Sequence, residues 1–396
     1  MKFFSNLRKV KFWPLYLLLL AFFLIKMYRG VNGDDSSEGG VWNYFQILFI
    51  VAGFGFLLFK YHHKSRIVNL FLAVALWIML VSLLNYDEKS FNSLASWFFF
   101  FMSLCAPMVM LISYCLGREN NIMDFSVLIK ATYYVLIVMF YYSMTNFRVT
   151  SDFDEYIAFS DIYYPMCLLP LVLLQTKPKL SFIPFIALVL GIIVSGKRGG
   201  LIIVAIVAIV YYLIGKKRKI GSRIGTITMF VSIIVFTYLF IDFIDTNFGI
   251  NTLTRIMNAS DDGGSGRFER WDTIMNTIGD SDVLSILFGH GFDAVYRLTG
   301  GRAHNDFLEV FYNYGLIAVI MYGAFFVKLI IININQFRKK YPYAKYLTCS
   351  IVVALGLALV SYYYVEPTYV LSSVFIIGLL LGDWAKFVRN GYLSIT

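Results

Sequence analysis

The chain has 396 residues, 59% of them hydrophobic and only 15% charged, with a formal net charge of +10. No soluble domain of this length needs so much apolar surface, so the composition excludes a water-soluble enzyme and implies a polytopic membrane protein. The basic excess sits in loops between apolar runs, where it orients the chain in a bilayer; it is not a nucleic-acid patch.

Apolar runs long enough to cross a bilayer are predicted at 12–28, 41–59, 67–84, 92–116, 124–145, 162–175, 181–195, 199–214, 224–244, 306–332, 346–364 and 368–388. The fold class is therefore an all-α integral membrane protein with about twelve transmembrane helices; the runs at 162–175 and 181–195 are the shortest. Lys26 and Arg29 flank the first run, which lacks a small-residue cleavage site and reads as a retained helix. Lys2, Arg8, Lys9 and Lys11 fall on the same side as the basic runs at 216–219 and 338–340. The opposite short loops hold Arg29, Lys89, Arg148, Lys197 and Arg198. The positive-inside rule then places both termini in the cytoplasm. Cys105, Cys115, Cys167 and Cys349 lie in or beside apolar runs and read as inert core thiols.

The expected organisation is nine helices over 1–244, one extracytoplasmic loop over 245–305 and three helices over 306–396. A loop this long is usually functional. It passes through the turn-rich stretch Asp261-Asp-Gly-Gly-Ser-Gly266 into an amphipathic helix expected at 267–278. There Phe268, Trp271, Ile274, Met275 and Ile278 recur at helical spacing on one face. A bare Asp261-Asp262 pair in such a stretch reads as a turn, and nothing on this face has zinc-ligand spacing.

Four groups stand out at the outer end of the helices. Asp306-x-x-Glu309 resembles a capping box that starts a helix at 306 and leaves His304 just before it. A histidine there is usually a solvated interfacial residue, but a helix N-terminus and nearby arginines attract anions. Lys197 and Arg198, in Ser195-Gly-Lys-Arg-Gly-Gly200, put two cations where the charge rule expects few. They form either a polar turn reaching headgroups or a clamp for phosphate oxygens. Arg267 and Arg270 open the loop helix, where cations oppose its dipole; they pair with Glu269 or Asp272, or they engage an anionic substrate. Arg297 and Arg302 are weaker cases. Tyr163-Tyr164 and Tyr362–Tyr364 fit an aromatic belt, with sugar stacking as the alternative for exposed rings.

Taken in order, Ser195–Gly200, Ser265–Trp271, Gly289–Gly291, and Ala303–Leu308 with Tyr314–Ile317 resemble the O-antigen ligase/polymerase superfamily. The resemblance implies a GT-C-like glycosyltransferase of the bacterial plasma membrane, free of metal and cofactor, acting on undecaprenyl-diphosphate-linked glycans at the outer face. It implies catalytic roles for His304, Arg198 and Arg267, and substrate contacts for Lys197, Arg270, Asn305, Gly289 and Gly291. Membrane lipid, a chain-length regulator and a flippase are the partners it brings to mind. The pattern departs in having Gly-Lys between Ser195 and Arg198, so Lys197 can share the arginine's role. The chemistry agrees: a diphosphate leaves without a proton, so cations must stabilise it and one base must serve the acceptor hydroxyl. Polymerase is preferred to ligase, and a twelve-span transporter is the rival from another class. The single large loop breaks the matched halves that transporters commonly show.

Overall fold

The computed structural model describes residues 47–48, 50–55, 65–91, 94–150, 161–176, 180–195, 197–214, 263–361, 363–364 and 367–393. Every regular element among them is helical: α1 (Arg66–Leu84), α2 (Leu94–Glu119), α3 (Ile122–Thr150), α4 (Tyr163–Gln175), α5 (Phe182–Val194), α6 (Arg198–Leu213), α7 (Gly263–Gly279), α8 (Val283–Phe288), α9 (Ala294–Thr299), α10 (Asp306–Arg338), α11 (Ala344–Val360) and α12 (Pro367–Leu393). Four spans among the described residues are long and apolar enough to cross a membrane: Arg66–Leu84, Ile122–Met144, Asp306–Arg338 and Tyr369–Gly391. Tyr163–Leu174, Phe182–Val194, Gly199–Leu213 and Ala344–Val360 are shorter apolar helices. The runs expected at 12–28 and 224–244, and most of that at 41–59, lie outside the described residues.

Small residues bring the two most closely packed helices together, as close helix packing in a lipid environment requires. A Cβ on Gly378 would strike Ser113 and Met110, and one on Gly382 would strike Tyr114 and Arg118. Both register steps advance in the same direction, so α12 runs parallel to α2. Ser113 Oγ bridges them, donating to Met110 O at 3.1 Å and Val374 O at 3.4 Å. On the other flank α1 packs along α10, with Phe71 stacked on Phe325 at 4.4 Å. All four cysteines are buried and free.

The helix α10 is broken. Gly315 has φ 81° and ψ 176°, a conformation that interrupts the hydrogen-bond ladder and that a side chain would strain. Carbonyls freed at a break inside an apolar bundle must find other donors. His290 N donates to Tyr312 O at 3.0 Å, Gly291 N to Asn313 O at 2.8 Å, and Trp77 Nε1 to Tyr314 O at 3.1 Å. Asn313 Oδ1 accepts in turn from Val295 N at 2.8 Å. The Gly289-His-Gly291 turn is thus the complement of the break, and Gly289 and Gly291 (φ 72° and 91°) leave no room for a Cβ against Asn313 and Asn85.

The loop helix α7 is bounded at Gly263, but Gly266 has φ 72° and regular helical backbone begins at the expected 267; its packing face is narrower than predicted. Ile274 is buried, with Trp271 and Ile278 packed beside it against Ala294, Val295, Ala303 and Tyr312. Phe268 and Met275, assigned to the same face, are 49% and 54% exposed. At 100° per residue they lie about 80° around the helix from the centre of the buried stripe. The tyrosines expected in an aromatic belt are also placed differently: Tyr163, Tyr164, Tyr363 and Tyr364 are buried among the helices, and Tyr362 lies outside the described residues.

Candidate functional site

Four chain segments meet beside the N-terminus of α10. The first is the α5–α6 turn. Ser195 Oγ donates to Ile192 O at 2.8 Å and Lys197 N to Ile192 O at 3.3 Å, which curls the chain tightly before α6 begins. Gly199 then lies against Val360 and Gly200 against Tyr163 and Ile192, at separations that leave little or no room for a side chain. Lys197 is the residue preceding α6 and Arg198 its first residue; the Arg198 side chain lies outside the described atoms.

The second segment is α7. Arg267 donates from its guanidinium to Val360 O at 2.9 Å, so it spans from the loop helix to the end of α11. Arg270 donates to Arg302 O at 3.3 Å, its guanidinium lying flat over Gly301. Trp271 Nε1 donates to Ala303 O at 2.6 Å. Three successive polar anchors therefore fasten α7 to the end of α11 and to the strand of chain that leads to His304.

That strand is the third segment. Ala303 N donates to Glu309 Oε2 at 3.0 Å, and Glu309 also pairs with Arg302 at 3.1 Å. Arg302 meets Asp293 at 2.6 Å as well. Burial disfavours its charge, but Glu309 and Asp293 prevail and push its pKa above the usual arginine range. Arg302 is thus a fixed structural cation. Arg297 is another, meeting Asp87 at 3.1 Å, Phe292 O at 2.8 Å and Ser90 Oγ. His304 itself takes φ 55°, in the left-handed region.

The α10 helix begins at Asp306 as expected, but the capping box does not form as read. The cap is Asn305, whose Oδ1 accepts from Leu308 N at 3.2 Å. Glu309 reaches back, though to Ala303 N, beyond the cap residue. Asp306 turns away and is buried, accepting from Tyr322 Oη at 3.0 Å and from the backbone of the fourth segment, Tyr363 N at 3.1 Å and Tyr364 N at 2.5 Å. The sequence reading missed this role. The available signal was a carboxylate at the mouth of an apolar helix, which is costly unless it is engaged.

Electrostatics tie these segments into one site. The His304 pKa is depressed to about 3, first by burial and then by the charges of Arg267, Lys197 and Arg270. Three of the predicted cations therefore act on the predicted histidine, which stays neutral at physiological pH. A neutral imidazole ringed by cations is arranged to receive an anion beside a hydrogen-bonding group. Gly289 and Gly291 stand apart, their conformations explained by the α10 break.

Residues 183–323 match a family model described as O-antigen ligase, a range that contains the α5–α6 turn, α7 and the His304 strand. No curated protein matches the chain.

Proposed function

We propose, from the match of residues 183–323 to a family model described as O-antigen ligase, that the chain is a member of the O-antigen ligase/polymerase superfamily and polymerises lipid-diphosphate-linked oligosaccharide units. The convergence of Lys197, Arg267 and Arg270 on a neutral His304 carries this reading. The donor is an undecaprenyl-diphosphate glycan at the outer face of the bacterial plasma membrane, and the reaction needs no metal.

In this reading the cations, with Arg198 beside Lys197, hold the donor diphosphate. The acceptor hydroxyl oxygen attacks the anomeric carbon as the bond from that carbon to the phosphate oxygen breaks. The electron pair leaves on the diphosphate, where the guanidinium groups stabilise it. The hydroxyl proton passes to His304. A base with a pKa near 3 would be weak, but the bound diphosphate cancels the field of the same three cations. Substrate binding therefore lifts the cationic part of the depression and raises the pKa of His304, coupling base strength to donor occupancy, while the larger effect of burial remains. Asn305 stands beside His304 on the acceptor side.

A ligase that moves finished glycan to another acceptor is the second reading, favoured by the description of the matched family. The purified chain, given a lipid-linked repeat unit alone, is expected to lengthen it on the carrier lipid. Arg267→Ala and His304→Ala are each expected to lower this rate by about a hundredfold or more. Transfer only when a separate acceptor is supplied would support the ligase instead. Full activity in either variant would remove that residue from the mechanism.

A further inference from the structure

We propose that Asp306 is the positioning residue of this site, a buried carboxylate that sets His304 against Arg267 by tying together the two chain segments on which they depend. This inference rests on the functional reading above for its kinetic arm only.

The segments are distant in sequence. His304 lies two residues before Asp306 on the strand that enters α10. The acceptor that holds Arg267 is Val360 O, three residues before Tyr363. Asp306 bonds to the backbone N–H groups of Tyr363 and Tyr364, so its side chain spans from one segment to the other. Tyr322 Oη, from the part of α10 beyond the Gly315 break, supplies a third donor.

A helix start does not require this arrangement. Asn305 already caps α10, and Glu309 already answers the N–H of Ala303. Asp306 is 1% exposed and its donors are neutral, so its burial is compensated by hydrogen bonds and not by a paired charge. Removing a carboxylate that answers backbone N–H groups leaves those groups buried without acceptors.

The left-handed conformation of His304 adds an independent reason. A non-glycine residue persists there only when its flanks over-determine it. Trp271 and Glu309 fix the residue before His304 through both of its backbone groups. Asp306 fixes the chain just after it.

The test uses the purified full chain with 13C-labelled histidine, of which the sequence has four, so His304 can be titrated without any substrate. In Asp306→Asn the His304 pKa is expected to rise by at least about one unit, because the ring leaves its buried, cation-ringed setting. The kcat for glycosyl transfer is expected to fall about thirtyfold with donor KM changed less than about threefold, as a misplacement near 1 Å would produce. Tyr322→Phe, which keeps both backbone bonds, should shift both quantities in the same direction by less. It carries the test if Asp306→Asn does not fold. Tyr341→Phe is the comparison for plain destabilisation, since it breaks a 2.5 Å bond to Asp383 beyond the opposite end of α10. It should lower the thermal midpoint and leave the His304 titration unmoved. Native titration and native kcat in folded Asp306→Asn would overturn the proposal, as would a loss that only follows the thermal midpoint. A wild-type chain that titrates as described but transfers no glycan would refute the functional reading, while the titrations would still decide the role of Asp306.

Discussion

The indole of Trp271 donates to Ala303 O at 2.6 Å, fastening the helix that carries Arg267 to the residue immediately before His304. Trp271→Phe keeps most of the ring in the Ile274 cluster and deletes only the donor. It is expected to cost about 1 kcal/mol of stability, read as a small fall in thermal midpoint. Glycosyl transfer should fall by more than that loss explains, since the strand before His304 loses one of its two fixings. Equal losses in both would mean that the bond serves stability alone.

His304 gives the stability a defined pH dependence. Its folded pKa is about 3, below its unfolded value of about 6.5, so between these values the unfolded chain binds the extra proton. The folded state is undisturbed above about pH 6.5 and loses about 1.4 kcal/mol per pH unit as pH falls toward 3. In His304→Gln this part of the acid sensitivity should disappear, so thermal midpoints measured from pH 7 to pH 4 should converge on a flatter line. Parallel lines for the two proteins would contradict the depressed pKa.

Arg297 joins the loop after α1 to the turn that covers the α10 break, pairing with Asp87 and donating to Phe292 O and His290 O. The ion pair is partly exposed, so the Asp87 component alone should be worth no more than about 1 kcal/mol. Arg297→Ala should cost more, about 1–3 kcal/mol, because the carbonyls of the turn lose their donor. A double-mutant cycle with Asp87→Ala separates the two parts. A coupling energy as large as the whole Arg297→Ala effect would show that the backbone contacts add nothing.

Gly315→Ala and Gly289→Ala both place a Cβ at positive φ and into backbone, of Leu287 for the first and Asn313 for the second. Each should destabilise by more than about 1–3 kcal/mol, because positive φ with ψ near 180° is open essentially to glycine alone and the opposing backbone cannot give way as a side chain can. Thermal midpoints of purified variants decide this. Gly323→Ala, on the same helix with nothing near its Cβ, should be neutral or stabilising.

Much of this was legible in the chain. Hydrophobic run lengths located α1, α3, α10 and α12, because a helix crossing lipid must be continuous and apolar. The odd placement of Lys197 and the order of the arginine and histidine motifs pointed to groups whose charges do act on one another. What remained hidden depended on contacts between distant segments. Nothing local distinguishes an Asp306 that caps its own helix from one that reaches Tyr363 and Tyr364. The shift of α7 away from Phe268 and Met275 likewise depended on where Ala303 and Tyr312 would lie. Nor does a Gly-His-Gly turn announce that its N–H groups answer a break in a helix that follows it.

That break has a mechanical consequence. Below Gly315 the rest of α10, about 35 Å of rod at 1.5 Å per residue, is long enough to cross the hydrocarbon. Above it, a stub of about 14 Å holds the Asp306 and Glu309 anchors and is stapled to the His290–Gly291 turn. Bilayers differ in thickness, and a long rod answers by changing its tilt. The rod is not free of the stub, because Tyr322 on the rod donates to Asp306 on the stub at 3.0 Å and its ring lies 5.3 Å from that of Phe307. A change of tilt would reach Asp306 and, through it, the Tyr363–Tyr364 backbone, so the geometry around His304 is coupled to the thickness of the bilayer around the rod.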